Sequence, residues 1–226
     1  MKKQIFSIII TCGMSFFTLF GVNQCIFPSN VAYAATEIEN GITIENEYVI
    51  PDEFDWCTYY VLVATNNTGK DVRISADFTA INPDGEEVSL VHDRADAVKD
   101  GQKFILYGQF LNENIKNAST YKYNLDLTET DNCTYTLVDV DTSTKEKCIE
   151  ISATNYSEKD IQGVGIRTLF TKNGKAVAFD TVNIADVGYT FHGGSTNSQM
   201  IGLNASDYDN YIITYISAGF ETAQTF

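Results

Sequence analysis

This sequence predicts an all-β chain of two tandem β-sandwiches, and three observations predict it. One stretch occurs twice: Ala64–Val88 (ATNNTGKDVRISADFTAINPDGEEV) aligns without a gap with Ala153–Val177 (ATNYSEKDIQGVGIRTLFTKNGKAV), at an offset of 89 residues. Short runs alternate apolar and polar residues, the period of a strand with one buried face, and none sustains a helical period. Thr, Val, Ile, Tyr and Phe are frequent while the chain has only three prolines, a composition that favours strands.

Residues 1–34 read as an export signal. Lys2 and Lys3 form a basic start, Ile5 to Gly21 is apolar, and Ala32-Tyr33-Ala34 supplies a small-x-small site with cleavage before Ala35. The apolar run approaches the roughly 18 residues that suggest a membrane span, but the cleavage site decides for removal. Val22-Asn23-Gln24-Cys25 lacks the small-residue box of a lipoprotein, and nothing later is long and apolar enough to span. The style of the signal is bacterial. Cleavage leaves 192 residues, a two-domain length. It removes two lysines and no acid, leaving 13 basic against 30 acidic residues and a net charge of −17. That charge repels nucleic acid and anionic membranes; it permits weak cation binding or a basic partner and selects neither, and a protein or glycan partner is the open expectation. Three cysteines remain, Cys57, Cys133 and Cys148, an odd number that leaves at least one thiol unpaired or shared between chains.

In chain order, Ala35–Gly41 leads into the alternating run Ile42-Thr-Ile-Glu45. Tyr59–Thr65 is the next strand, with Tyr60, Leu62 and Ala64 matching Ile149, Ile151 and Ala153. In the second copy Cys148, Glu150 and Ser152 fall on the wet face, whereas Cys133 shares a face with Tyr135 and Leu137, so Cys133 and Cys148 are expected to point apart. Polar turns at Asn66–Asp71 and Asn155–Asp160 lead into strands Val72–Ile81 and Ile161–Phe170. Asp84-Gly85 and Asn173-Gly174 are hairpin signals, since both residue types tolerate positive φ. Val88–Leu90 and Val177–Phe179 return as partner strands. At an offset of 87, Asp100–Phe104 corresponds to Val187–Phe191 and Asn117–Tyr121 to Asn204–Tyr208. Each copy then closes on a strand. Tyr121, Tyr123, Leu125 and Leu127 alternate with polar residues, while Tyr208–Ser217 is apolar on both faces and should be more fully covered. The seam is short and polar at Glu129–Asn132, which predicts limited freedom between domains at 36–130 and 131–226.

The Asn-Ala-Ser-x-Tyr element before each final strand resembles the tyrosine corner of immunoglobulin-like domains, with Tyr121 and Tyr208 as the tyrosines. The hallmark disulfide and core Trp are missing. The fold is therefore expected to be two immunoglobulin-like sandwiches of another kind. Leu169-Phe-Thr-Lys-Asn-Gly-Lys-Ala-Val177 also resembles the FxLYD-type extracellular domains of bacteria, in which an aromatic-rich strand runs into such a turn. The acidic residue that follows the aromatics in that family is Thr171 here and Asn82 in the first copy. The resemblance implies a secreted, non-enzymatic sandwich.

No cofactor or metal is expected, and no catalytic motif appears. His92-Asp93 is the sole adjacent His–acid pair, and neither His92 nor His192 has a counterpart in the other copy. Asp139/Asp141 and Asp207/Asp209 pair carboxylates in the manner of calcium ligands, yet turns explain such residues without a metal. Asn-x-Ser/Thr triplets at Asn66, Asn117, Asn132, Asn155 and Asn204 read as backbone-bonding turn residues rather than sugar acceptors. Trp56, Tyr59 and Asp55, beside Asp52 and Glu53, are the candidate ligand site, a combination that stacks on a sugar ring and bonds its hydroxyls. The expected function is a secreted or cell-surface non-catalytic binding or structural protein, with a carbohydrate-binding or adhesive module at Trp56 as the alternative.

Overall fold

Tyr60, Leu62 and Ala64 point into one apolar core and Ile149, Ile151 and Ala153 into another, as their alternation predicts. The computed structural model describes residues 37–146, 148–203, 205 and 207–220, so the export signal and Asn204 lie outside the described residues. The fold is all-β, and the sheet pairings are antiparallel. The first half has seven strands: β1 (Glu37–Glu39), β2 (Ile42–Pro51), β3 (Cys57–Asn66), β4 (Val72–Ile81), β5 (Glu87–Val98), β6 (Lys103–Leu111) and β7 (Thr120–Glu129). They form a sheet β1-β2-β3-β6 and a sheet β5-β4-β7. The second half has β8 (Val138–Thr144), β9 (Ile149–Asn155), β10 (Ile161–Gln162), β11 (Val164–Lys172), β12 (Lys175–Ile184), β13 (Thr190–Phe191), β14 (Thr196–Ile201) and β15 (Asn210–Ile216). Its sheets are β14-β9-β8 and β12-β11-β15, with a small β10-β13 pair. The order repeats, β3 corresponding to β9 and β4 to β11. Among the described residues no sheet mixes strands from the two halves.

The repeated asparagines are buried pins. Asn66 donates Nδ2 to the carbonyls of Lys70 and Val98 and accepts at Oδ1 from Thr68 N and Oγ1. Asn155 does the same with Lys159 O, Phe191 O and Ser157. Each side chain so satisfies backbone groups that would otherwise be stranded. The turn reading of these triplets therefore holds at both sites.

The two hairpin turns differ. Asn173 (φ 51°) and Gly174 (φ 74°) are both left-handed between paired Lys172 and Lys175, a two-residue turn. In the first copy Ile81 pairs with Glu87, so five residues form the loop. Pro83 cannot take positive φ, and Asn82 Oδ1 instead gathers the amides of Asp84 and Glu86.

The gapless alignment is corrected inside β11. Val72 and Ile161 are both buried, but the inward residues that follow are Ile74, Ala76, Phe78 and Ala80 in β4 against Val164, Ile166, Thr168 and Phe170 in β11. Gly163 is one extra residue, breaking the strand between β10 and β11. Because side chains alternate with period two, one residue flips every face beyond it. The identical Thr79 and Thr168 are thus not equivalent: Thr168 is buried, whereas Thr79 lies in the outward row of β4.

Three further expectations change. Cys148 is buried rather than open to solvent, with Sγ 3.6 Å from Met200 Sδ. It precedes β9 and lies against Met200, which pairs with Glu150. Tyr135–Leu137 is a 3-10 turn and not a strand face, with Tyr135 stacked on Tyr215 at 4.4 Å. Tyr121 and Tyr208 make no hydroxyl bond to backbone among the described residues; their rings pack on Phe110 and Phe170 instead. Ser119 anchors that loop, donating N and Oγ to Ile81 O. Cys57, Cys133 and Cys148 are free thiols.

Candidate functional site: the seam between the halves

A third apolar cluster joins the halves. Tyr48, Ile50, Val61, Val63 and Ile105 from the outer face of β2-β3-β6 meet Leu169, Ala176 and Phe179 of the second half, with Tyr59, Tyr107 and Ile212 packed around them. This is why β3 is buried on both faces and β15 is covered on both, Tyr211, Ile213 and Tyr215 facing the core and Ile212 the seam.

Arg167 crosses this seam. Its Nη1 and Nη2 donate to Asp93 Oδ2 and Oδ1 at 2.6 and 2.8 Å, and further to the carbonyls of Ile105 and Arg94. The guanidinium also sits 5.1 Å from the Tyr107 ring centroid, within cation–π range. Both charged side chains are 11% exposed. Burial pushes the Asp93 carboxyl up, while Arg167 and the Tyr107 amide pull it down.

Beside this pair lies a cleft of about 390 Å³ whose lining comes from both halves, including Arg94 and Asp96 of the first and Gly165, Arg167, Asn183 and Tyr189 of the second. Arg94 Nε is 2.7 Å from Asp96 Oδ1, and Arg73 Nε is 3.7 Å from the same oxygen. The 2.7 Å contact lies off the line a hydrogen bond needs, so the pairing is ionic. The chain has only three arginines, Arg73, Arg94 and Arg167, against twelve lysines. All three belong to this one cluster. Sequence reasoning passed over them, although that scarcity and two glycines within one strand run, Gly163 and Gly165, were the available signals.

The sequence-predicted residues fall elsewhere. Asp55 and Trp56 sit on the β2–β3 loop, where Trp56 is 61% and Phe54 71% exposed. Asp55, at φ 54°, has its carboxylate and carbonyl engaged by Asn112 Nδ2. Tyr59 turns into the seam, 5.3 Å edge-on to Phe179. It lines a separate pocket of about 130 Å³ with Asp52, Glu53 and Asp180 that Trp56 does not reach. Burial, then Cys57, raise its hydroxyl pKa. The structure therefore keeps Asp55 and Trp56 together and separates Tyr59 from them. The histidines pair locally: His92 Nδ1 with Asp77 at 2.6 Å, and His192 Nδ1 with Asp160 at 3.1 Å, all exposed. Asp93, next to His92, faces Arg167 instead. Asp207 pairs with Lys172, and Asp209 accepts from Asn173 N. Among the described residues no group of three or more His, Cys, Asp or Glu is placed to hold a metal ion, and no helix is long and apolar enough to cross a membrane.

No family model matches the chain, and none of the curated proteins does. Among solved structures it is similar to a red sea bream transglutaminase at 9% identity and a TM-score of 0.26, covering 76% of this chain and 28% of that one. It is similar also to a beta-glucuronidase from glycoside hydrolase family 2 at 14% identity and a TM-score of 0.18, covering 73% and 20%. The chain thus spans under a third of either protein, and neither likeness bears on function.

Proposed function

We propose that the chain is an exported, non-catalytic binding or structural protein that works as one two-sandwich unit with its binding surface on the seam. The observation that carries this reading is the meeting of Arg94 of the first half and Arg167 of the second in the lining of one cleft that neither half forms alone. A site built by two modules is a common place for ligands to seat. The leader at residues 1–34 and the resemblance of Leu169–Val177 to FxLYD-type extracellular domains support export to the cell surface or beyond.

A second reading, adhesion through the β2–β3 loop, is favoured by the paired exposure of Phe54 and Trp56. An array of immobilised glycans and peptides separates the two. The seam reading expects binding that Arg94→Gln and Tyr189→Gly abolish, with the ligand recovered chemically unchanged. Binding that survives both variants and is lost in Phe54→Ser/Trp56→Ser contradicts it and supports the loop.

A further inference from the structure

The seam cleft has a floor, a wall and an exposed guanidinium edge. Gly165 lies on the central strand β11, and a Cβ there would meet nothing within 4 Å, so the floor is open and flat. Both edges of β11 are already paired at this point, Gly165 with Asn183 and with Ile216. A peptide cannot enter here by adding a strand, because no backbone group of Gly165 is left for a ladder. What the cleft offers instead are side chains.

Three of them can meet a ligand. The Arg94 side chain is 58% exposed and ion-paired with Asp96 through Nε, and its Nη1 and Nη2 make no hydrogen bond among the described residues. Asn183 carries a primary amide with no hydrogen-bond partner among the described residues, lying against Gly163. Tyr189 presents its ring to solvent, 77% exposed, from a left-handed backbone at φ 65°. That conformation is costly for a residue with a side chain, and it is fastened by Gly163 N donating to Tyr189 O at 2.9 Å. An exposed aromatic held under strain beside an open floor is suited to stacking on a flat face. A free amide suits hydroxyls, and a free guanidinium edge takes an anionic group through two parallel bonds.

Resting on the reading of the seam as the binding surface, we infer that the cleft binds an acidic saccharide. The sugar ring lies over Gly165 against Tyr189, Asn183 bonds its hydroxyls, and Arg94 holds its acid group. A volume of about 390 Å³ matches a ligand of one or two rings. The net charge of −15 over the full sequence opposes an acid, and Asp96 lines the same cleft, so binding of the acid group depends on Arg94.

The test is a ¹⁵N NMR titration of the purified chain with trigalacturonic acid, its methyl ester, a sulfated disaccharide, and an acidic tripeptide. The expected result is shifts of Gly163, Gly165 and Asn183 amides with the galacturonate or the sulfated sugar, whichever is tighter naming the acid. The methyl ester and Arg94→Gln should each weaken that binding at least 10-fold, or abolish it. Tyr189→Gly, which removes the ring and suits the backbone, should weaken it similarly. Equal binding of acid and ester, binding of the tripeptide alone, or no shifts with any sugar overturns the inference. If another ligand still needs Arg94 and Tyr189, the seam remains the binding surface and only the saccharide assignment fails.

Discussion

Arg167 and Asp93 fix the two halves to each other through atoms that have almost no contact with water. The guanidinium spends its donors on one carboxylate and two carbonyls, so the two partners are not symmetric. Without Arg167, the Asp93 carboxylate keeps only backbone amides, those of Tyr107 at 3.0 Å and of Arg94. Without the Asp93 charge, Arg167 still has Ile105 O and Arg94 O. Arg167→Met should therefore cost about 3–5 kcal/mol, the range for an uncompensated buried charge. Asp93→Asn should cost about 1–2 kcal/mol. Urea unfolding of both variants checks this, and equal costs would contradict the account. Burial, the largest influence, raises the Asp93 pKa, so the folded chain binds that proton more tightly than the unfolded chain. Its contribution is fully present below the ordinary aspartate value and is lost as pH rises through the raised value. The pair thus fixes geometry at some cost in stability, in keeping with buried ion pairs generally. The sequence could not show this pair. The residues lie 74 positions apart, and a lone Arg on an alternating strand reads as solvated. The pins Asn66 and Asn155 were legible, because their turns are local and repeated.

At the scale of elements, one glycine decides which side of β11 faces the seam. Gly163 shifts the strand by one residue relative to β4, placing Arg167 and Leu169 outward and Ile166 and Phe170 in the core. Deleting Gly163 should reverse these faces, burying Arg167 in the sandwich and exposing Phe170. The expected outcome is loss of amide dispersion across β9, β11, β12 and β15 in NMR spectra. A folded deletion variant that keeps the Arg167–Asp93 pair would refute the register argument. Strand identities, their order and the Asn173-Gly174 turn were readable from alternation and turn chemistry. The inserted residue was not, because Thr79/Thr168 and Gly85/Gly174 match better when no gap is opened. Likewise the burial of Cys148 was not readable, because the residue against it, Met200, lies 52 positions away.

At the scale of the molecule, the two copies differ where they meet. Outward on the second half, Leu169 pairs with Phe179 and Ile212; the matching trio on the first half is Thr79, Leu90 and Lys122. Outward on the first half, β3 presents Tyr59, Val61 and Val63, whereas β9 presents Glu150, Ser152 and Thr154. The contact is head-to-tail between similar units, a kind that propagates unless its ends are changed. Here the unused face of the second half is polar, Ser152 bonding Ser198 and Thr154 bonding Thr196, and that of the first sets Thr79 and Lys122 beside Leu90. Duplication preserved the cores, and divergence made one complementary pair of faces while silencing the other. The fold class was legible because cores and turns repeat. The packing was not, because an apolar outward residue such as Val61 reads from sequence as general strand propensity.

A seam that joins the halves into one cooperative body has a direct signature in differential scanning calorimetry. The purified chain should melt in a single transition with equal calorimetric and van't Hoff enthalpies. Phe179→Asp, which places a charge among Tyr59, Tyr107 and Leu169, should split that melt into two. A wild-type chain that already melts in two independent steps, or a Phe179→Asp chain with an unaltered single transition, would contradict the claim.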